Sequence, residues 1–290
     1  MQLGKLGVWA STDVYSAGDA AQFAKDVESW GYSALWMPET FGRNPLVHSA
    51  WLLANTAKLI VATGIANIYA RDAVATKSAQ NTLAEQSGGR FLLGLGVSHA
   101  PLVEGGRGHT YGKPVATMRA YLEAMEKAPY MGPVSREKPL TILAALRPNM
   151  LALSAEKSDG AHPYNTTPQH TAEARAILGS GKLLCPEQMV MLETDPARAR
   201  SAARKSLARY FRAPNYQNSL KRLGFTDDDF AAEGSDRVID GLVAWGDEVA
   251  IRRRIQEHWD AGADHVCIQA LDPSGDLKPD RKALALLAKA

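Results

Sequence analysis

Short apolar runs alternate along the chain with longer segments whose apolar residues recur at three- and four-residue spacing. Residues 6–10 form the first apolar run, and residues 17–30 then repeat small and apolar side chains on one helical face. Gly31 is typical of a helix C-terminus, and residues 33–38 indicate a second buried strand. The pattern predicts a strand, a helix and a strand in parallel, which is a βα unit.

The same alternation continues to the end of the chain. It predicts further strands at residues 58–68, 91–97, 140–146, 160–164, 183–192 and 265–271. It predicts further helices at residues 46–56, 76–87, 116–127, 148–158, 171–178, 196–208, 247–261 and 282–288. About eight strands, each followed by a helix, predict an α/β fold of the (β/α)8 TIM barrel type, which usually takes about 250 residues plus insertions. We expect one such barrel to span residues 1–290.

One segment, residues 209–240, does not follow this period. It combines a helical fragment with an acidic turn at Asp227, Asp228 and Asp229, and then reaches Gly234. We interpret it as extra helices inserted in the seventh unit, where they would form a cap over the barrel.

Composition and charge restrict the class of protein. Of the 290 residues, 46% are hydrophobic and 22% are charged, which is typical of a globular protein and excludes disorder. The net charge is only +2 and no basic block is interleaved with aromatic residues, so we expect no nucleic-acid partner. No apolar run approaches the roughly 18 residues of a membrane helix, and the N-terminus lacks a signal-peptide pattern. Cys185 and Cys267 lie far apart in apolar runs, which fits a reducing cytoplasm.

Active sites of such barrels form at the carboxyl ends of the strands, so the residues after each apolar run are the candidates for chemistry. Among them only Glu39, His99 and Asp272 could serve as metal ligands near strand ends, and we expect no metal. No serine nucleophile elbow and no phosphate-binding P-loop occurs, and the glycines at 94 and 96 make only a fragment of a dinucleotide motif. These motifs therefore predict no function by themselves.

Three longer stretches carry a more specific pattern. They are residues 30–39 (WGYSALWMPE), residues 63–72 (TGIANIYARD) and residues 88–98 (GGRFLLGLGVS), and residues 158–161 (SDGA) extend it. The chain thereby resembles the bacterial luciferase-like monooxygenase superfamily, in particular its branch of coenzyme F420-dependent oxidoreductases, which fold as (β/α)8 barrels. The resemblance covers most of the chain, with residues 101–113 and 209–240 as its least diagnostic parts.

The resemblance implies where a flavin or deazaflavin ring would lie. Family members hold the ring against a bulge of the third strand, often at a non-prolyl cis peptide bond, which falls here between Gly64 and Ile65. A simple β-bulge with a trans bond is the alternative. Asn67, an amide at the strand end, would then hydrogen-bond the edge of the ring.

The family's phosphate site follows strands four and five. Here it would comprise Gly96, Val97 and Ser98 on one side and Arg147, Pro148, Asn149 and Met150 on the other. Because Pro148 would begin a helix, we expect the amide groups of Asn149, Met150 and Leu151 to be free to bind a phosphate. Tyr164 and Asn165, with Thr166, would contact the ribityl chain or the phosphate. Five basic residues could also meet an acidic cofactor tail: Arg43, Arg71, Arg107, Lys113 and Arg147.

The catalytic positions differ from those of related sugar-phosphate dehydrogenases, which have an Asp-His pair after strand two and a Glu after strand four. Here Glu39 and Thr40 follow strand two, and His99 stands in the position of the Glu. We expect His99 to move a proton near neutral pH, with Glu39 orienting it or acting itself. Glu39 could instead be a carboxylate that binds neighbouring backbone amides.

The resemblance implies hydride transfer between C5 of coenzyme F420 and a small alcohol, carbonyl compound or activated alkene. An FMN-dependent monooxygenase is the first alternative, and a relative that binds a ligand without catalysis is the second. A homodimer is the expected assembly, and Phe41, Tyr69, Tyr111 and the segment 209–240 are candidates to line the substrate pocket.

Overall fold

The computed structural model describes residues 1–288 and has strands and helices in alternation. The strands are β1 (Leu6–Trp9), β2 (Ala34–Met37), β3 (Ile60–Thr63), β4 (Ala66–Asn67), β5 (Phe91–Gly96), β6 (Thr141–Leu143), β7 (Gly160–Ala161), β8 (Leu183–Leu184), β9 (Glu187–Leu192), β10 (Val243–Gly246) and β11 (Val266–Ala270). The helices are α1 (Ala17–Trp30), α2 (Pro45–Ala54), α3 (Ala73–Gln86), α4 (Pro114–Lys127), α5 (Pro148–Lys157), α6 (Pro168–Leu178), α7 (Pro196–Leu207), α8 (Pro214–Arg222), α9 (Asp227–Phe230), α10 (Asp236–Leu242), α11 (Glu248–Asp260) and α12 (Arg281–Leu287).

All strands belong to one parallel sheet. Its order is β10-β9-β11-β1-β2-β3-β5-β6-β7-β8, and β4 continues the position of β3 beside β5. The register places Trp9 opposite Trp36, and Asn67 opposite Gly96. Because the strands are parallel, their carboxyl ends lie at one edge of the sheet, where the loops after β2, β4, β5, β6 and β7 meet.

The segment predicted as one strand at residues 183–192 is divided into β8 and β9. Cys185 donates its amide to the Ala161 carbonyl of the β7 side, whereas the Pro186 carbonyl accepts from Cys267 in β11. The sheet is therefore curled, because the first half of this segment meets β7 and the second half meets β11. Pro186 has no amide hydrogen, so it cannot donate to a neighbouring strand at the point where the segment changes partners.

Two further features of the sheet differ from the sequence analysis. The run at residues 58–68 forms β3 and β4 with an interruption at Gly64 and Ile65, and a 3-10 turn at Ile68–Ala70 follows it. Strand β10 was not predicted at all, yet it pairs with β9 along its whole length, from Val243 opposite Met189 to Gly246 opposite Leu192. It begins directly after α10 without a turn residue between them, so the change of period is not visible in the sequence.

The two faces of the sheet bury different sets of side chains. One face packs on the surrounding helices with aliphatic residues such as Val8, Leu35 and Leu93. The other face is the inner side of the curl and carries Trp9 and Trp36 among smaller apolar side chains. Trp36 is fully buried there.

The segment 209–240 forms α8, α9 and most of α10. Phe211, Leu220 and Leu223 pack with Met189 and Met191 of β9 in a separate apolar cluster. The helical character expected for this segment is thus confirmed, and its packing fixes it beside the carboxyl end of β9. No helix among the described residues is both long and apolar enough to cross a membrane.

Candidate active site

A ledge of backbone, residues 64–67, lies between β3 and the end of β4. The peptide bond between Gly64 and Ile65 is cis, as the resemblance implied. The Trp9 indole Nε1 donates to the Gly64 carbonyl over 3.0 Å, and the Glu39 amide donates to the Ile65 carbonyl over 3.1 Å. The carbonyls of Gly64 and Ile65 are therefore held by β1 and by the loop after β2.

Gly64 has no room for a side chain. A Cβ atom at this position would lie 2.9 Å from the His162 ring nitrogen Nε2 and 2.9 Å from the Trp9 indole nitrogen. His162 stacks on Trp36 with 4.7 Å between ring centroids, and its Nδ1 lies 2.7 Å from the Cys185 carbonyl oxygen. Full burial lowers the pKa of His162 to about 4, so the ring is neutral and serves as packing under the ledge.

Glu39 is bound on several sides. Its Oε2 accepts from the Asn67 amide at 2.7 Å and from Arg71 Nη1 at 3.1 Å, while Oε1 pairs with Arg71 Nη2. Arg107 Nη2 approaches Oε1 to 3.8 Å, and the Glu39 side chain is only 5% exposed. No hydrogen bond joins Glu39 to His99 in residues 1–288, so the structure does not bring these two predicted partners into direct contact. Thr40 is exposed at the rim.

The loop after β5 folds over the loop after β4. Ser98 adopts a left-handed conformation with φ 56°, and its carbonyl accepts from the Tyr111 hydroxyl at 3.2 Å. Tyr111 stacks on Tyr69 with ring centroids 5.7 Å apart, and the Gly112 amide donates to the Tyr69 hydroxyl at 2.9 Å. Tyr69 and Tyr111 thus tie the two loops together beside the ledge.

His99 lies three residues beyond Gly96, which pairs with Asn67 of the ledge. Its ring is half-buried and faces the Tyr216 ring, with 5.7 Å between the centroids. Desolvation by burial lowers the pKa of His99 below its ordinary value of 6.5. The imidazole is therefore neutral at pH 7 and able to accept a proton.

The start of α5 differs from the sequence expectation. The amides of Met150 and Leu151 are not free, because both donate to the Arg147 carbonyl at 3.0 Å. The first turn of the helix closes on its own cap residue, and Pro148 has no amide hydrogen. Only the Asn149 amide of this turn has no acceptor among the described residues, and the Arg147 side chain is exposed beside it.

Tyr164, after β7, is the centre of an aromatic cluster. Its hydroxyl lies 2.8 Å from the Tyr210 hydroxyl and donates to Gln269 Oε1 at 3.0 Å. Its ring lies 5.0 Å from the Trp9 ring and 6.3 Å from the Tyr216 ring. Tyr210 and Tyr216 come from the segment 209–240, which therefore reaches the same end of the sheet as His99.

The residues after Tyr164 have polar atoms without partners. Both side-chain atoms of Asn165 and the hydroxyl of Thr166 are buried and have no hydrogen-bond partner in the described chain. Asn165 is held in a left-handed conformation with φ 56°, and its amide donates to Glu187 Oε2 at 3.0 Å. Unpaired buried polar atoms are costly, so a polar ligand group at this strand end would offset a real penalty. On this observation the residues fit the polar chain of a flavin or deazaflavin cofactor.

Several residues near this edge were missed by the sequence analysis as parts of the site. Glu187 is fully buried, and burial raises its pKa to about 8, so its carboxyl group is protonated at neutral pH. Gln269 could have been noticed, because it is a polar residue inside an otherwise apolar strand, whereas Glu187 begins its strand beside a second polar residue, Gln188. Tyr210 and Tyr216 could be assigned only as members of their segment. No cluster of metal ligands occurs within residues 1–288.

Comparison with known proteins gives one family. Residues 2–265 match the family model described as luciferase-like monooxygenase. A candidate coenzyme F420-dependent oxidoreductase of Mycobacterium tuberculosis is 24% identical, with 93% of this chain and 95% of the relative aligned. The 5,10-methylenetetrahydromethanopterin reductase of Methanolobus tindarius is 27% identical over 78% of this chain and 76% of its own.

Solved structures share the fold over nearly the whole chain. The coenzyme F420-dependent tetrahydromethanopterin reductase of Methanopyrus kandleri superposes with a TM-score of 0.79 at 18% identity, covering 99% of this chain and 98% of its own. An F420-dependent secondary alcohol dehydrogenase follows at 0.76 and 14% identity, with 99% and 98% coverage. The FMN complex of a type II Baeyer-Villiger monooxygenase of Pseudomonas putida reaches 0.71 at 14% identity, with 99% and 97% coverage.

Proposed function

The chain belongs to the luciferase-like monooxygenase family, and from this premise we propose that it is an oxidoreductase that uses coenzyme F420. Within the proposal, the curled sheet is a (β/α)8 barrel in which residues 183–192 form one bent strand position and residues 209–240 are an insertion. The cofactor ring lies on the ledge 64–67, at the edge of the sheet where His99 also lies.

The observation that carries the proposal is the set of unpartnered buried polar groups at Asn165 and Thr166. They lie at the same sheet edge as the ledge, two strand positions beyond β5. In the proposal they bind the polar chain of the cofactor, and the Asn149 amide with the Arg147 side chain binds its phosphate. The site then has an apolar ledge for a ring and polar groups for a tail, which is the division a flavin-like molecule requires.

Coenzyme F420, when bound, supplies or accepts a hydride at C5 of its deazaflavin ring. The chain's own residues would provide positioning and proton transfer. His99, neutral because of its burial, accepts the proton of a substrate hydroxyl, or returns it in the reverse direction. Tyr210 and Tyr216 cover this end of the sheet and exclude water from it.

Glu39 has a supporting part in this proposal. Both of its carboxylate oxygens are bound, to the Asn67 amide and to Arg71, so it holds the ledge in place from the β2 side. A carboxylate paired in this way has no free oxygen for proton transfer. We therefore propose His99 as the catalytic residue and Glu39 as a positioning residue, with Thr40 at the rim of the substrate entrance.

The substrate class follows from the same arrangement. A single half-buried imidazole beside the ring position suits an alcohol or carbonyl pair, in which one proton accompanies the hydride. An activated alkene would need the same proton. The relatives and neighbours include both deazaflavin and FMN enzymes, so an FMN-dependent monooxygenase is the second candidate.

Fluorescence titration with oxidised coenzyme F420 and separately with FMN tests the proposal. Saturable binding of F420 that weakens in Asn165→Ala supports it, since the variant removes two of the unpartnered groups. Binding of FMN without binding of F420 would favour the FMN-dependent monooxygenase instead. Binding of neither molecule would favour the second alternative, a relative that binds another ligand and does not catalyse a reaction. Light scattering on the same samples tests the homodimer that we propose as its assembly.

A further inference from the structure

A separate cavity opens on the β2 side of the ledge. Its volume is about 270 Å³, and it lies between the loop after β2 and the loops after β4 and β5. Its walls are formed by Glu39, Thr40, Phe41, Gly42, Arg43, Asn44, Ala70, Arg71 and Arg107. None of the residues proposed above to hold the cofactor chain or phosphate lines it.

The charges of these walls do not balance. The lining contains three arginines, Arg43, Arg71 and Arg107, and only one acidic residue, Glu39. Arg71 and Glu39 form a bidentate pair and compensate each other. Asp13 stands behind the wall, where its Oδ1 accepts the Arg43 amide at 3.0 Å. Even with Asp13 counted, one positive charge remains without a negative partner.

Arg43 is fixed but not neutralised by its contacts. Its Nη1 donates to the Thr12 carbonyl at 2.6 Å and its Nη2 donates to the Tyr15 carbonyl. Backbone carbonyls orient the guanidinium without removing its charge. The side chain is thus held in one place by the loop after β1, which lowers the entropy cost of binding an anion there.

Arg107 makes the fewest hydrogen bonds of the three arginines in the described chain. Its Nη2 donates to the Thr40 carbonyl at 3.3 Å, and its guanidinium carbon lies 6.0 Å from the centre of the Phe41 ring. Its Nε and Nη1 groups have no acceptor within residues 1–288. Phe41, which is 62% exposed, gives the cavity an aromatic wall next to these donors.

We propose that this cavity binds a carboxylate carried by the substrate, with an apolar group of the same molecule against Phe41. Guanidinium groups match the planar geometry of a carboxylate, and the cavity volume suits a small organic acid rather than a polymer. The assignment to the substrate rests on the proposed function. The cavity lies beyond β2 and β4, whereas the proposed phosphate position at α5 lies beyond β6, so a ring on the ledge separates the two. Binding of a carboxylate by the cavity does not depend on that function.

Calorimetry with benzoate and with benzamide, a neutral molecule of the same shape, tests the cavity directly. We expect benzoate to bind, benzamide to bind at least about tenfold more weakly, and Arg107→Gln to weaken benzoate by about tenfold. The matched control is Arg119→Gln, which removes an exposed arginine of α4 that pairs with Glu156. Equal binding of benzoate and benzamide, or unchanged benzoate affinity in Arg107→Gln, would overturn the proposal.

A second titration distinguishes the substrate from the acidic tail of the cofactor. Coenzyme F420 with its glutamate residues and F420 without them are compared on the unmodified protein and on Arg107→Gln. If Arg107→Gln binds each form as tightly as the unmodified protein does, the substrate is supported as the source of the carboxylate. A loss confined to the glutamate-bearing form would assign the cavity to the cofactor tail and overturn that part of the proposal. Benzoate binding without any cofactor binding would refute the proposed function and leave the carboxylate cavity standing.

Discussion

The indole of Trp9 in β1 donates a hydrogen bond of 3.0 Å to the carbonyl oxygen of Gly64, which lies 55 residues further along the chain. The two residues belong to strand positions separated by β2, so the bond spans the inner side of the curled sheet. It holds the backbone of the ledge from below. Trp9 therefore packs on the inner side of the sheet and also fixes the proposed seat of the cofactor ring.

Replacing Trp9 with phenylalanine tests this bond. The Trp9→Phe variant keeps an aromatic ring but leaves the buried Gly64 carbonyl without its donor, which should cost about 1–3 kcal/mol of unfolding free energy. Urea denaturation measures the cost, and cofactor titration should show weaker binding. Trp51→Phe is the control. It removes an exposed hydrogen bond from the Trp51 indole to the Ala17 carbonyl, and water replaces that bond. Equal losses in the two variants would contradict the special position of Trp9.

A methyl group added at Gly64 should be more harmful than one added to an open glycine. Gly64→Ala brings a Cβ to 2.9 Å from both Trp9 and His162, two packed rings that cannot easily move. We expect a loss of about 1–3 kcal/mol in unfolding free energy from overpacking. Gly105→Ala is the control, because nothing lies within 4 Å of a Cβ at that position. A Gly64→Ala variant as stable as this control would show that the site under the ledge can expand.

The ion pair between Glu39 and Arg71 should contribute far more than a surface pair. Its side chains are only 5% and 11% exposed, so Glu39→Gln leaves a buried guanidinium without its counter-charge and should cost about 3–5 kcal/mol. Glu156→Gln breaks a pair whose side chains are 38% and 51% exposed, and should cost below about 1 kcal/mol. Chemical denaturation of both variants at one salt concentration makes the comparison. A small loss in Glu39→Gln would mean that water reaches Arg71.

The burial of His99 predicts a pH dependence of catalysis. Because burial lowers its pKa below 6.5, kcat/KM for oxidation of an alcohol should stay constant at neutral pH and fall only on the acid side of 6.5. His99→Ala should bind the cofactor normally, and its turnover should fall by a factor of about 10²–10⁴. The decrease of kcat/KM at acid pH should be absent in this variant. His109→Ala, an exposed histidine of the same loop, is the control. An unchanged pH profile in His99→Ala would remove the imidazole from its proposed role.

Glu187 predicts a pH dependence of stability. Its pKa rises from 4.5 to about 8 on folding because the carboxyl group is buried. Its contribution is therefore fully present below pH 4.5 and is lost as the pH rises towards 8. Relative to Glu187→Gln, which is neutral at every pH, the unmodified protein should lose unfolding free energy across this interval. A difference between the two proteins that stays constant with pH would show that Glu187 is not buried as a neutral acid.

The order of strands and helices could be predicted because each βα unit repeats a strong apolar pattern. Helix starts were less accurate, since α2, α4 and α6 begin at Pro45, Pro114 and Pro168, where proline occupies the first turn. The sequence predicted later starts for all three. Proline there signals a helix start, and an apolar pattern alone misses it.

The site could be predicted only in part, because hydrogen-bond partners are set by the tertiary structure. The Gly64–Ile65 peptide bond followed from the resemblance, and its cis form is confirmed. The free amides expected at Met150 and Leu151 were wrong, because the helix turn satisfies both through the Arg147 carbonyl. The meeting of Tyr164 with Tyr210 joins residues 46 positions apart, which no local pattern could indicate.

The hydroxyl group of Tyr164 connects the end of β7 with Tyr210 of the segment 209–240 and with Gln269 of β11. That segment otherwise packs on β9 through an apolar cluster of its own. We therefore expect that exchanging this segment for the equivalent part of a relative leaves the rest of the sheet folded. The exchanged segment must keep a phenol at position 210, or supply another partner for Tyr164, to preserve this link between β7, β11 and the segment.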